Sequence, residues 1–100
     1  MVLVRDVFQL KFGKSKAAVD LLKQGIALEK KAGYNSQRLL TDISGPYYTL
    51  VMESSFPNLT EFEKAHHKVA GTPVWKKWYQ SFVPLVEFGR REIFSVVAGE

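Results

Sequence analysis

The sequence contains no cysteine, which removes disulfides, thiolate metal ligation and cysteine nucleophiles together. No apolar run reaches the roughly 18 residues that span a bilayer, so no membrane partner is expected. The 4 prolines and 7 glycines leave no linker long enough to divide the chain and no low-complexity stretch. The N-terminus lacks the uniform apolar segment of a secretory signal, because Arg5 and Asp6 interrupt it, and a cytoplasmic address is expected. Blocks of like charge are missing too. The net charge of +4 is spread over Lys14 and Lys16, Lys30 and Lys31, Lys76 and Lys77, and Arg90 and Arg91, which read as solvated flanks.

The 100 residues are 46% hydrophobic, 24% charged and 13% aromatic, which predicts a single domain over residues 1–100 with a modest self-sufficient core. Val2, Val4, Phe8, Leu10 and Phe12 share one parity, broken by Asp6, and predict a strand with one apolar face. Gly13 ends it, and Ser15 is expected to cap a helix that runs to about Ala32 with Gly33 as its stop. Ala18, Leu21, Leu22, Gly25, Leu28 and Ala32 make the apolar stripe of that helix. Alternation over 37–43 and 47–54, separated by Gly45 and Pro46, predicts a hairpin. Asn58 with Glu61 three residues on starts a second helix, whose inner side holds Leu59, Phe62, Ala65, His66 and Val69. Gly71 ends it, Thr72 and Pro73 open a third helix, Pro84 closes that one, and residues 88–97 form the last strand.

The order β-α-β-β-α(α)-β is an α+β, ferredoxin-like pattern with an antiparallel sheet. Helices cover one sheet face. The other carries Leu3, Val7, Leu40, Val51, Phe88, Phe94 and Val96 beside Arg5, Gln9, Arg38, Glu53, Arg90 and Glu92. That is too much apolar surface to face water comfortably, so a homodimer through the open sheet face is expected. The charges of both signs on it are expected to pair across the barrel interior or interface; a small anion held by the arginines is the alternative.

The stretches Asn58–His67 (NLTEFEKAHH), Thr72–Trp75 (TPVW) and Val86–Phe94 (VEFGRREIF) look like the dimeric α+β barrel superfamily. Within it the chain resembles NIPSNAP-like proteins and, next, antibiotic-biosynthesis-monooxygenase-like proteins. The resemblance implies a ferredoxin-like protomer, two sheets closing into a barrel across a dimer, and a small organic ligand or, in some branches, haem between sheet and helices. The monooxygenase-like branch often pairs a His in the second helix with a later Pro-His. His66 stands for the first, but Val74 follows Pro73. The Asn that haem-degrading members share on the first strand is also missing, so no cofactor is expected and cofactor-free oxygenation stays open.

Asp6 on the first strand and His66 on the second helix are the polar oddities of two apolar faces that meet. A carboxylate accepting from one imidazole nitrogen would raise the pKa of the ring and supply an acid or base near neutrality; a satisfied structural pair is the plainer reading. Trp75 and Tyr79, and with them Tyr48 and Phe62, are the expected ligand-contacting residues, whereas Trp78 and Phe82 are expected in the core. Glu29, close to the end of its helix, is expected to reach water. Glu63 and His67 have the spacing of two metal ligands but no third, and no HExxH, EF-hand or Cys/His cluster is present, so no metal is expected. Residues 47–55 lack the glycines and cations of an RNA-recognition strand, so no nucleic-acid partner is expected. Phosphate-loop and nucleophile-elbow motifs are absent. The expected function is binding of a small organic molecule between sheet and helices, with cofactor-independent oxygenase or isomerase chemistry as its catalytic form. The alternative is a non-catalytic ligand-sensing or protein-interaction module.

Overall fold

Alternating apolar residues make β1 (Val2–Leu10) the central partner of two neighbours, and a 3.6-residue apolar stripe packs α1 (Ser15–Lys31) onto the sheet through Ala18 and Leu22. The chain continues through β2 (Ser36–Thr41), β3 (Thr49–Phe56), α2 (Leu59–Ala70), α3 (Pro73–Phe82), a 3-10 turn (Val83–Leu85) and β4 (Val86–Ser95). This computed structural model describes residues 1–34 and 36–99, with the backbone alone at Gln37. The strands form one antiparallel sheet in the order β2-β3-β1-β4, the ferredoxin-like arrangement expected from the pattern. Among the described residues no helix is long and apolar enough to cross a membrane.

Register fixes which side chains share a face. Val4, Asp6, Phe8 and Leu10 lie opposite Ser54, Met52 and Leu50 on β3 and Ile93, Arg91 and Gly89 on β4, under the helices. Two apolar clusters fill this layer. One joins Leu10, Leu50 and Met52 to Ala18 and Leu22 of α1 and Trp78 and Phe82 of α3. The other joins Val4, Phe56, Tyr34, Phe62 and Val69. Between them the sheet carries its polar residues.

The ends of the helices set their positions. Asn58 accepts from Glu61 N at 2.9 Å, and Thr72 accepts from Trp75 N at 3.3 Å while donating to the Val69 carbonyl at 2.9 Å. Ser15, expected as a cap, is instead the first residue of α1; Lys14 precedes it and no side chain caps this end. Gly33 stops α1 at φ 88°, where a side chain would be strained. Gly25 has a different reason to be small: a Cβ there would lie 2.5 Å from the Trp78 ring. The indole is pinned in place by its Nε1–H, which donates to the Leu21 carbonyl at 2.6 Å.

On the open face the charges pair within the chain. Glu53, only 5% exposed, accepts from Arg38 and faces Arg5 at 3.3 Å, and Arg90 donates to Glu92 at 3.0 Å. Phe88 and Phe94 stay exposed on the same face.

Candidate functional site

A cleft of about 860 Å³ opens between the sheet and the helices. Its floor is the polar middle of the sheet. Asp6 is 4% exposed and accepts from Arg91 Nε at 2.6 Å, so two charged residues that face each other across β1 and β4 cancel under the helices. Burial alone would lower the Arg91 pKa, but the hydrogen bond and charge of Asp6 outweigh it and hold it above its ordinary value. The Arg91 guanidinium also sits 5.3 Å from the centre of the Phe62 ring, a cation–π contact that keeps it in place.

His66 borders the same cleft, stacked on Phe62 with 5.7 Å between ring centres. Asp6 and His66 therefore meet one cavity, but no hydrogen bond joins them among the described residues, because Arg91 occupies the carboxylate. The expected rise in the His66 pKa is reversed. Burial and the nearby Arg91 charge push it below the ordinary imidazole value, and the opposing pull of Asp6 is smaller.

The aromatic expectations divide. Trp75 and Tyr79 line the cleft, their rings 22° apart at 6.5 Å between centres, and Trp78 and Phe82, expected in the core, are buried and border the cleft as well. Phe62 is not itself on the lining; it lies beneath His66 and Arg91 as a support. The structure does not bring Tyr48 to this cleft. It stands in the turn before β3 at φ 58°, outside the strand whose parity placed it, and its ring packs on Phe12 at 4.9 Å between centres. Among the described residues no three His, Asp or Glu side chains stand together as metal ligands do.

Besides Arg91, which the sequence places on a solvated flank, Glu29 and Tyr34 border the cleft without being expected there. Glu29, expected in water, is 3% exposed and lines the floor. It accepts from the Ser36 hydroxyl at 3.3 Å, and Ser36 in turn contacts the Ser54 hydroxyl at 3.3 Å. Burial raises its pKa to about 7; Ser36 opposes the rise and Asp6 adds to it. The signal was in the spacing: Ala18, Leu22, Gly25 and Glu29 recur at intervals of 4, 3 and 4 residues and form one buried line on α1. Tyr34 follows Gly33 in the connection to β2 and is 1% exposed. Its hydroxyl makes no hydrogen bond of ordinary geometry among the described residues. Burial and the Asp6 charge push its pKa up to about 12, against the influence of nearby Ser54.

The Glu29 shift has a consequence for stability. Below about pH 4.5 both folded and unfolded chains hold its proton; between there and pH 7 only the folded chain does. The folded state then binds more protons, so this group's contribution to stability falls as pH rises through that window and levels off above it. Glu29→Gln is expected to match the wild type in thermal denaturation at pH 4 and to exceed it at pH 8 by about 3 kcal/mol, taking about 1.4 kcal/mol per pKa unit. Equal stability at both pH values would place the carboxyl group in water.

No protein-family model and no curated protein sequence matches this chain, whereas solved structures do. The fold is that of NIPSNAP domain proteins, as the sequence resemblance implied. A NIPSNAP domain protein from Burkholderia xenovorans is 15% identical, with 98% of this chain and 96% of that one covered and a TM-score of 0.91. A NIPSNAP family protein from Agrobacterium tumefaciens is 19% identical over 94% and 86%, with a TM-score of 0.87. The second branch of the resemblance is also present: a putative antibiotic biosynthesis monooxygenase from Nitrosomonas europaea is 14% identical over 98% and 100%, with a TM-score of 0.74.

Proposed function

We propose that this protein binds a small, partly apolar organic molecule in the cleft between sheet and helices, and does so as a homodimer joined through the open sheet face. The observation that carries the reading is the open cleft itself: about 860 Å³ with an aromatic wall at Trp75 and Tyr79 and a polar floor at Asp6, Arg91, Glu29 and Tyr34. A module whose sheet served only to meet other proteins would have this space filled by side chains. The size and the mixed lining suit a small ligand held by shape and oriented by a few polar groups. Cofactor-independent oxygenase or isomerase chemistry is the catalytic form of the same proposal. Such chemistry needs a group that exchanges a proton near neutrality, and Glu29, with its pKa of about 7, meets that need better than the Asp6–His66 pair. The activity named for the Nitrosomonas protein supports this form by analogy of fold alone.

The homodimer is supported by Phe88 and Phe94, 64% and 48% exposed on a face whose charges are already paired. Sedimentation at micromolar concentration is expected to give twice the 11.4 kDa of one chain. Phe88→Glu combined with Phe94→Glu should shift it to the single-chain mass, and a wild-type chain that sediments alone would refute the pairing. For the cleft, titration of the intrinsic tryptophan fluorescence with a panel of neutral bicyclic aromatics should show saturable quenching that Trp75→Leu removes. Saturation unaffected by that change would place the ligand elsewhere.

A further inference from the structure

We propose that two copies of the chain meet face to face about a two-fold axis that runs parallel to the strands and passes between β3 and β1. Arg38 of each copy then lies over Glu92 of the other, and the loop that carries Ile43 comes to the mouth of the other copy's cleft. This deepens the homodimer reading and rests on it.

A row of charges across the open face fixes the axis. Strand register sets Arg38 beside Glu53, Glu53 beside Arg5 and Arg5 beside Glu92, so the strands in the order β2-β3-β1-β4 present plus, minus, plus, minus at one level. The ends of the row are open to a partner: the Arg38 side chain is 65% exposed and that of Glu92 30%. A two-fold axis along the strands keeps every row at its own level and reverses its order. Placed between β3 and β1, it sets every charge over its opposite. Moved sideways onto a strand, it sets like over like. An axis across the strands also sets like over like when it follows the row, and moved off the row it lays the charges over Val51 and Val7 or over Leu3 and Phe94. Like charges face to face and charges laid on apolar surface are both costly. The neighbouring apolar row agrees with the chosen axis, which puts Val51 over Val7 and Val7 over Val51.

The same axis sets the level of the loop after β2. It brings the β2 edge of one copy beside the β4 edge of the other, with each residue kept at its own level. Thr41 shares a level with Leu50, Phe8 and Gly89, and one step on the Asp42 N–H donates to the Thr49 carbonyl. Ile43 of the partner subunit therefore arrives level with the first residues of β4. Val86, Glu87 and Gly89 line the cleft there. So does Arg90, whose parity is that of the open face, and the mouth of the cleft thus wraps round the β4 edge. Ile43 is fully exposed in the single chain and free to make that contact.

The absence of cysteine makes thiol cross-linking specific. Stacked sheets lie about 10 Å apart and neighbouring strands about 4.8 Å, so a bis-maleimide of about 10 Å reach spans one sheet gap but not three strand spacings as well. It is expected to join an Arg38→Cys chain to a Glu92→Cys chain in an equilibrated mixture and to join neither variant to itself. Self-joining of either variant, or no joining in the mixture, overturns the axis and leaves the homodimer standing if the wild type sediments as two chains. Arg38→Glu and Glu92→Arg should each weaken self-association about tenfold or more, and an equimolar mixture should recover it, because each change answers the other across the axis. Self-association of Arg38→Glu as tight as the wild type, or a mixture no tighter than its components, also overturns the axis. Ile43→Ser should keep the dimer and weaken binding of the neutral bicyclic β-isopropylnaphthalene about three- to tenfold. Equal affinity overturns the place of the loop at the cleft. A wild-type chain that sediments alone overturns the axis and the homodimer reading together.

Discussion

Gly25→Ala is expected to lower the free energy of unfolding by about 3 kcal/mol, the upper end of what overpacking a close-packed interior costs. Helix propensity alone argues the opposite sign, since alanine in a helix interior is favoured over glycine by about 1 kcal/mol. The contact decides between them. The new Cβ would stand 2.5 Å from one Trp78 ring carbon and 2.7 Å from another, and the ring cannot swing away without giving up its bond to the Leu21 carbonyl. Urea denaturation measures the change directly. A variant as stable as the wild type, or more so, would show that the α1–α3 seam is loose and that the inner wall of the cleft is not fixed as described.

Arg91→Met is expected to cost about 1–3 kcal/mol, because it leaves the buried Asp6 carboxylate unpaired while the Arg91 side chain it removes is itself 39% exposed. Asp6 is 4% exposed and would be left without its cation beneath the helices. Removing both charges tests whether the loss belongs to the pair. Asp6→Leu combined with Arg91→Met replaces the pair with apolar groups, and this double variant should regain most of the stability. Additive losses in the two single variants would contradict the pairing. The same cycle bears on function, because the account gives Asp6 and Arg91 the role of a neutral floor rather than of reacting groups.

Much of the fold was legible because parity and capping are local. The alternation around Asp6 placed β1, Gly33 stopped α1, and Asn58 and Thr72 fixed the starts of α2 and α3. The site was legible only in outline. Asp6 stood out as a charge on an apolar parity, but its partner lies 85 residues away on β4 and became visible only with the strand register. Once β1 and β4 are aligned, Arg91 is the one cation directly opposite Asp6, and His66 loses the carboxylate that the sequence pattern assigned to it. The distance of Glu29 from the helix end points to water, whereas its line with Leu22 and Gly25 is what buries it. Tyr34 belongs to no periodic element, so periodicity could not reveal that its side chain folds back under α2 against Phe56 and Phe62. Tyr48 shows the converse: parity places it in the strand, but it stands left-handed in the turn before β3.

The most direct measurement is a set of intermolecular NOEs between a neutral bicyclic aromatic, β-isopropylnaphthalene, and the protein. Contacts from its ring protons to Trp75, Tyr79 and Met52 are the result expected of a ligand seated between sheet and helices. Contacts confined to Phe88 and Phe94, or a ligand that leaves the cleft resonances unmoved at saturating concentration, would contradict it.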